Sequence, residues 1–389
     1  MKIHLKTEYN TRHPLIFSKM VQHPRRRPDP GTLVEVLTRN GDFAGRGFYH
    51  PRRTIAIRLL TRDPREAVDG DFITRRLTAA KEFRENTLQI PRISDSYRLI
   101  HGEADGFSGL VIDKFAGLLV MEPFSAGYIP LAPLFAEALE KLYPGSRIAF
   151  RPDPKTEKNE GVPFDGPARR YPPPASVDIR ENGLTIGVDL SSGHKTGYFL
   201  DQRDNRIAAA GLAAGKEVWD LFCYTGGFGI SAARAGAKRV VSVDLDEKAL
   251  AVAEKNARRN DASVEYRHRD CFDFLREKTR GGERVDMIIL DPAKLAGVRE
   301  EIPRALKTYN DINRLAMEAL KPGGLLVSCS CSGLVSEQQF LGVLSNAAGE
   351  AKRELQIFRI AGAAPDHPFR TDYPEGRYLK AVFARCLGP

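Results

Sequence analysis

Four short apolar runs constrain the fold of this chain more than any other feature: Val218–Phe222, Val240–Asp244, Asp286–Asp291 and Leu325–Cys331. Helical stretches at Gly229–Ala235 and Lys248–Arg259 lie between them. Strands that alternate with helices are joined by crossovers, and crossovers make neighbouring strands parallel. Residues 185–389 are therefore expected to form a doubly wound α/β sheet, Rossmann-like in its winding. Such sheets bind ligands at the carboxyl ends of their strands. The run Tyr378–Phe383 reads as a last strand, antiparallel to the others.

At 389 residues the chain has room for two or three domains, taking roughly 150 residues for each. Residues 1–70 read as a small β domain, because Ile55, Ile57 and Leu59 alternate onto one face and Gly41, Gly45 and Gly47 punctuate the preceding segment. Residues 71–184 begin with a connector helix over Asp71–Thr87 and continue as a small α+β unit. Its strands are Tyr97–Ile100 and Gly109–Asp113, and its helix is Leu131–Leu142. The Pro-rich, charged stretch from Arg151 to Pro174 reads as an exposed loop.

Charge narrows the partners. The net charge is +9, and the first 100 residues hold 20 Lys and Arg against 11 Asp and Glu, which accounts for all of it. The arginines cluster as Arg25-Arg26-Arg27, Arg52-Arg53 and Arg75-Arg76. Clustered cations point to a polyanion, nucleic acid above all, against the blander reading of a solvated arginine face. No run approaches the ~18 apolar residues of a membrane span. The first residues lack the apolar core of a secretion signal, and five scattered cysteines do not form a disulfide framework. A reducing cytosol is the expected location.

The segment Asp220-Leu221-Phe222-Cys223-Tyr224-Thr225-Gly226-Gly227-Phe228-Gly229 follows the first strand of the sheet, and Asp244 ends the second strand eighteen residues after Gly226. An acid about 20 residues beyond a glycine turn is placed to accept ribose hydroxyls. The spacing fits a dinucleotide or S-adenosylmethionine. The loop is not G-x-G-x-x-G, so a pyrophosphate cradle is poorly supported. Asp220 would repel a diphosphate but suits the methionine ammonium, and Asp270 is placed to accept the adenine amino group. The competing reading, a glycine turn that only shapes the fold, leaves three acids at successive strand ends unexplained. In Asp291-Pro292-Ala293-Lys294 the acid can hold a planar base by its ring-nitrogen edge; the alternative is an ordinary Asp-Pro turn.

Cys329 and Cys331 close the fourth apolar run. A thiolate that attacks carbon 6 of a pyrimidine turns the ring into an enamine and makes carbon 5 reactive, which is covalent catalysis. Two residues apart on a strand, both sulfurs share one face; if the strand stops early, only Cys331 lies in the loop. Free cysteines are often small buried hydrophobes, the reading for Cys223, Cys271 and Cys386. A Cys-x-Cys metal site would need further ligands, so no metal is expected.

At this point the residues resemble a known family. Gly193-His194-Lys195-Thr196-Gly197-Tyr198-Phe199-Leu200-Asp201-Gln202-Arg203-Asp204-Asn205-Arg206 looks like the signature segment of the ribosomal RNA large-subunit methyltransferase I family. Phe222–Phe228, Ser330-Cys331-Ser332-Gly333-Leu334, Asp366-His367-Pro368 and Tyr373-Pro374-Glu375-Gly376 extend the match, and Gly45–Tyr49 is similar to the family's PUA domain. The resemblance implies an N-terminal β-rich PUA domain, a small α+β domain and a class I S-adenosylmethionine-dependent methyltransferase domain. It also implies 5-methylcytosine formation in 23S ribosomal RNA in bacterial cytoplasm, often by a homodimer. Carried over by position, Cys331 is the nucleophile, with Asp291 holding the cytosine and bordering the cofactor. Phe199, Gln202, Asp220, Tyr224, Gly226, Asp244 and Asp270 line the cofactor site. Arg25, Arg26, Arg46, Arg52 and Arg53 are the residues expected to bind RNA; neither DNA nor membrane is an expected partner.

The chain departs from the family's usual Asp-Pro-Pro-Lys-Phe, having Asp291-Pro292-Ala293-Lys294-Leu295, and it lacks the second cysteine that other RNA cytosine-5 methyltransferases place there. Three competitors stand beside the cytosine reading. One is a methyltransferase acting on guanine N7 or another ribosomal RNA base. Another is a non-catalytic RNA-binding assembly factor. The weakest is a nicotinamide dehydrogenase, for which the phosphate fingerprint is missing.

Overall fold

Val285–Leu290 is buried on both sides, as a strand must be when helices cover both faces of its sheet. The computed structural model describes residues 1–9, 11–191 and 197–388, so Gly193–Thr196 of the signature segment lie outside the described residues. The chain divides into two compact units. The first comprises Met1–Arg180, Val188–Leu200 and Pro365–Gly376; the second comprises Glu181–Gly187, Asp201–Ala364 and Arg377–Pro389.

The second unit holds a seven-stranded sheet. Its strands are β1 (Glu217–Leu221), β2 (Arg239–Asp244), β3 (Glu265–His268), β4 (Val285–Leu290), β5 (Leu320–Ser330), β6 (Glu354–Ala361) and β7 (Lys380–Leu387). They lie in the order β3-β2-β1-β4-β5-β7-β6. The first five are parallel, and β7 runs antiparallel between β5 and β6. Strand order reverses at β1, which has β2 on one side and β4 on the other. That reversal opens a crevice at the carboxyl ends. The expected parallel, doubly wound sheet with an antiparallel last strand is what the chain forms.

Alternation along each strand feeds two cores. Trp219, Leu221, Val241, Val243, Ile288, Leu290 and Leu326 enter one cluster, with Phe274, Tyr309 and Phe340 from helices. Val218, Val240, Met287, Ile289, Val327 and Cys329 enter the other, with Ala209 and Phe228. Each fully buried large side chain stabilises by about 1.5–3 kcal/mol. The helices are α1 (Arg203–Ala210), α2 (Gly227–Arg234), α3 (Glu247–Arg259), α4 (Cys271–Arg280), α5 (Ile302–Ala319) and α6 (Glu337–Glu350). α3 starts where the Asp246 side chain accepts the Ala249 N–H, and it buries Ala249, Leu250, Ala253 and Ala257 at helical spacing. The edge strand β6 leaves Ile357, Phe358 and Ile360 exposed, so its pattern carries no inside-outside alternation.

The first unit contains a six-stranded sheet, whose longest strands are Phe43–Tyr49 and Ile55–Thr61, and a four-stranded sheet formed by Tyr97–His101, Leu110–Phe115, Leu118–Pro123 and Arg147–Phe150. Gly47 is required where these long strands meet, because a Cβ there would lie 2.1 Å from the Arg58 carbonyl oxygen. The connector helix spans Gly70–Glu82, and the chain continues as a wider turn over Phe83–Thr87. The stretch expected as an exposed loop instead holds two short helices, Pro154–Glu160 and Asp165–Arg170. The Asp153 side chain caps the first of them and Pro154 presets its opening turn. Phe164, fully buried, joins the core. A proline at the start of the first helix, and Pro167 within the second, disguise these turns as loop.

Candidate active site

The loop after β1 is held in an uncommon conformation. Phe222, Tyr224 and Gly226 have φ values of 62°, 50° and 82°, and two of the three are not glycine. Left-handed backbone at ordinary residues costs about 1–3 kcal/mol and persists where surrounding bonds enforce it. Here the Tyr224 N–H donates to Asp244 Oδ2 at 2.8 Å and the Gly226 N–H to the Cys223 carbonyl at 2.8 Å. Gly226 has neither the dihedral nor the space for a side chain, since a Cβ would lie 2.9 Å from the Tyr266 hydroxyl.

Three acids lie at or just beyond the carboxyl ends of three adjacent strands. Asp220 is fully buried; its Oδ2 accepts the Gly229 N–H at 2.8 Å and faces the Ser242 hydroxyl at 3.4 Å. Its Oδ1 is buried without a hydrogen-bond partner. Burial, assisted by the nearby Asp291 charge and opposed by the Gly229 hydrogen bond, pushes this carboxyl up to about 7. Asp244 accepts the N–H groups of Tyr224 and Asp246, one on each oxygen. Asp270 caps α4, with Oδ1 accepting from Phe272 at 2.9 Å and from Asp273 at 3.1 Å.

Gln202 and Asp291 meet directly: Gln202 Nε2 donates to Asp291 Oδ1 at 2.9 Å. Asn205 Nδ2 donates to Gln202 Oε1 at 2.6 Å and so fixes the amide's orientation. Phe199, also expected at the cofactor, belongs to the first unit.

β5 ends at Ser330, so Cys331 is the first residue of the following loop. Its Sγ donates to the Pro292 carbonyl at 3.8 Å, beside Asp291. Cys329 is fully buried opposite Ala381 of β7, and burial pushes its thiol well up. Burial likewise raises Cys223, Cys271 and Cys386. All five cysteines are thiols, and Cys331 alone among them is half-buried.

Two residues that bind this loop were given no role by the sequence reading, although Ser332 stands inside the Ser330–Leu334 segment. Ser332 Oγ accepts the N–H groups of Leu295 at 3.0 Å and Ala296 at 3.2 Å, and lies 3.1 Å from the Tyr309 hydroxyl. Lys380 Nζ donates to the carbonyls of Ser332, Val335 and Tyr378 at 2.7, 2.8 and 2.9 Å. The available signal for Lys380 was a lysine inside an apolar final strand; for Ser332 it was its place beside Cys331 in the Ser330-Cys331-Ser332-Gly333-Leu334 segment.

The arginines expected to bind RNA all lie in the first unit. Arg25, Arg26, Arg52 and Arg53 are exposed. Arg27 donates to the Pro51 carbonyl at 2.7 Å and so links the two arginine segments. Arg52 and Arg53 border a cavity of ≈ 240 Å³ with His50, Arg58 and Ser125. Arg46 differs: it is half-buried and its guanidinium donates to Glu35 at 2.9 Å and to the Glu66 carbonyl. That cation is committed inside its own sheet.

The pocket residues fit S-adenosylmethionine. A buried carboxylate oxygen without a partner suits an ammonium. The glycine at 226 lets backbone approach a ligand, and Asp244 ends one neighbouring strand while Asp270 lies just beyond the next.

Comparison with known proteins agrees. Residues 149–381 match the family model for S-adenosylmethionine-dependent methyltransferases, and residues 4–62 match a PUA-like domain. The chain is 42% identical over 96% of its length to ribosomal RNA large subunit methyltransferase I of Aeromonas hydrophila, covering 96% of that protein. It is 40% identical to the protein of the same name from Shewanella denitrificans, over 96% of this chain and 95% of that one. Among solved structures, a methyltransferase complexed with SAH superposes with a TM-score of 0.83 at 22% identity, over 99% of both chains. The S-adenosylmethionine-dependent methyltransferase from Streptococcus mutans superposes with a TM-score of 0.82 at 20% identity, over 99% of this chain and 100% of that one. A PUA-like domain, a class I sheet with three strand-end acids, and a match along nearly the whole length converge: the chain belongs to the ribosomal RNA large subunit methyltransferase I family of S-adenosylmethionine-dependent methyltransferases.

Proposed function

We propose that this protein forms 5-methylcytosine in 23S ribosomal RNA, with Cys331 as the attacking nucleophile. The observation that carries this reading is the placement of Cys331 one residue beyond β5, with its Sγ 3.8 Å from the carbonyl of Pro292 in the Asp291-Pro292 loop. Of the two candidate sulfurs, Cys329 is committed to the core.

The Cys331 thiolate adds to carbon 6 of the base, forming an S–C bond and pushing the ring electrons toward carbon 5. Asp291, oriented by Gln202, holds the cytosine by its ring-nitrogen edge. S-adenosylmethionine supplies the methyl group. Once carbon 5 carries the methyl, its proton leaves to water or a neighbouring base, the S–C bond breaks, and Cys331 is released as thiolate. Asp220, Tyr224, Gly226, Asp244 and Asp270 would hold the cofactor. A cytosine must be unstacked to reach the thiol, so a flipped or single-stranded nucleotide is the target. Arg25, Arg26, Arg52 and Arg53 take phosphates, which gives affinity without sequence information.

The same reading divides the chain into an RNA-binding domain over 1–70, a connector and middle domain over 71–184, and the methyltransferase domain over 185–389. It places a homodimer in bacterial cytoplasm; no described helix is long and apolar enough to cross a membrane. The test is nucleoside mass spectrometry of unmodified ribosomal RNA treated with the protein and labelled S-adenosylmethionine. Label in 5-methylcytidine is expected; label in 7-methylguanosine, or no transfer at all, would replace this reading.

A further inference from the structure

We propose that Lys380 is a positioning residue for methyl transfer: its buried ammonium pins the turn that follows Cys331 and favours the thiolate there. The inference rests on Cys331 being the nucleophile.

Lys380 is the first residue of β7, opposite Ser330 in register, and is 4% exposed. The residues that follow it, Ala381 to Ala384, are apolar and buried. A lysine in that setting loses its hydration and must recover it from the protein. It does so completely. An ammonium has three protons, and three carbonyls accept them: Ser332, Val335 and Tyr378. Ser332 and Val335 are the two ends of one turn, closed by the Val335 N–H to the Ser332 carbonyl at 3.0 Å. The side chain therefore clamps the backbone immediately after the nucleophile. A neutral amine has only two protons and would leave one buried carbonyl without its donor. With every proton committed, Lys380 has none to pass to substrate, which makes it a positioning group.

The electrostatics run the same way. Burial pulls the amine down to about 8, Cys331 and Glu337 oppose that fall, and Arg377 adds to it. Around the thiol stand Asp291, Cys329 and the Tyr309 phenol, the last raised to about 12 chiefly by burial. Raised in this way, the Tyr309 phenol and the Cys329 thiol are neutral near pH 8; the Asp291 carboxylate disfavours a second negative charge nearby, and the Lys380 ammonium opposes that effect. The coupling is reciprocal: a thiolate at 331 favours the ammonium, and the ammonium favours the thiolate.

The test is the pH dependence of Cys331 alkylation by iodoacetamide in the full-length protein, read by peptide mass spectrometry without RNA or methyl donor. The wild-type midpoint is expected below the ~8.5 of an ordinary thiol. Lys380→Met is expected to move the midpoint up by about one unit, ~tenfold slower alkylation below it, while SAH binding persists. Lys380→Arg is expected to restore the wild-type profile. A wild-type midpoint at or above an ordinary thiol's overturns the proposal even if Lys380→Met fails to fold; so does an unchanged midpoint in that variant. Because alkylation involves no methyl transfer, either failure leaves the nucleophile assignment standing, and that assignment is tested separately by Cys331→Ala.

Discussion

Ser332 Oγ accepts the backbone N–H of Leu295 at 3.0 Å, and this bond ties the loop after β5 to the loop after β4. The first loop carries Cys331 and the second carries Asp291, so the distance between thiol and acid depends on it. Ser332→Ala removes an acceptor shared by two backbone donors and a phenol, all buried or half-buried. Leaving such donors unmet costs about 1–3 kcal/mol. Urea denaturation is expected to show that loss, with methyl transfer falling by about tenfold or more because a small misplacement of reacting groups is expensive.

Asp220 links cofactor binding to pH. Its carboxyl, ordinarily ionised near 3.9, is raised to about 7 here. Only the ionised form attracts an ammonium, so affinity for SAH is expected to rise as pH increases through about 7. Between pH 6 and 8 the ionised fraction climbs roughly tenfold, and the dissociation constant should fall by about that factor. The folding consequence has the opposite sign: a raised carboxyl pKa makes the folded state hold a proton that the unfolded chain releases, so this group's contribution to stability declines from about pH 4 to 7. Titration calorimetry at several pH values checks the first effect, and Asp220→Asn should abolish the pH dependence while weakening binding.

Asp291 is expected to matter for turnover more than for assembly. Asp291→Asn keeps the shape and can still meet Gln202 through its amide oxygen. A loss of about 10²–10⁴ in kcat is expected, with SAH affinity changed much less. Single-turnover methylation, with SAH binding measured alongside, separates the two.

The arginine segments predict a salt signature. Arg52→Ala with Arg53→Ala should weaken RNA binding across unrelated sequences and flatten the plot of log affinity against log salt by about 0.7–0.9 for each phosphate left without its arginine. Arg46→Ala should leave that slope unchanged and instead destabilise the N-terminal sheet, since Arg46 is already bonded to Glu35. Filter binding at several salt concentrations distinguishes these outcomes.

The central strands were legible because helices cover both faces, which makes stretches such as Met287–Leu290 continuously apolar. The edge strand β6 was not, because three of its apolar side chains, Ile357, Phe358 and Ile360, face solvent. Choosing between Cys329 and Cys331 needed one fact that periodicity cannot supply, the end of β5 at Ser330. The roles of Lys380 and Ser332 stayed hidden because most of their partners are backbone atoms of distant segments; Lys380 reaches a carbonyl 48 residues away. The pairing of Arg46 with Glu35 was not legible either, because the two meet across a strand pair, eleven residues apart in sequence. Composition locates charge along a chain, whereas register decides which charges neutralise one another.

A covalent bond from Cys331 to cytosine can be caught by trapping with ribosomal RNA containing 5-fluorocytidine. Fluorine at carbon 5 cannot leave as the proton does, so the S–C bond should persist after methyl transfer. The wild-type protein with S-adenosylmethionine is expected to yield a denaturation-resistant protein–RNA adduct whose crosslinked peptide contains Cys331. Cys331→Ala should form no adduct and no 5-methylcytidine while still binding SAH. An adduct on another residue, or full methylation by Cys331→Ala, would rule out Cys331 as the nucleophile.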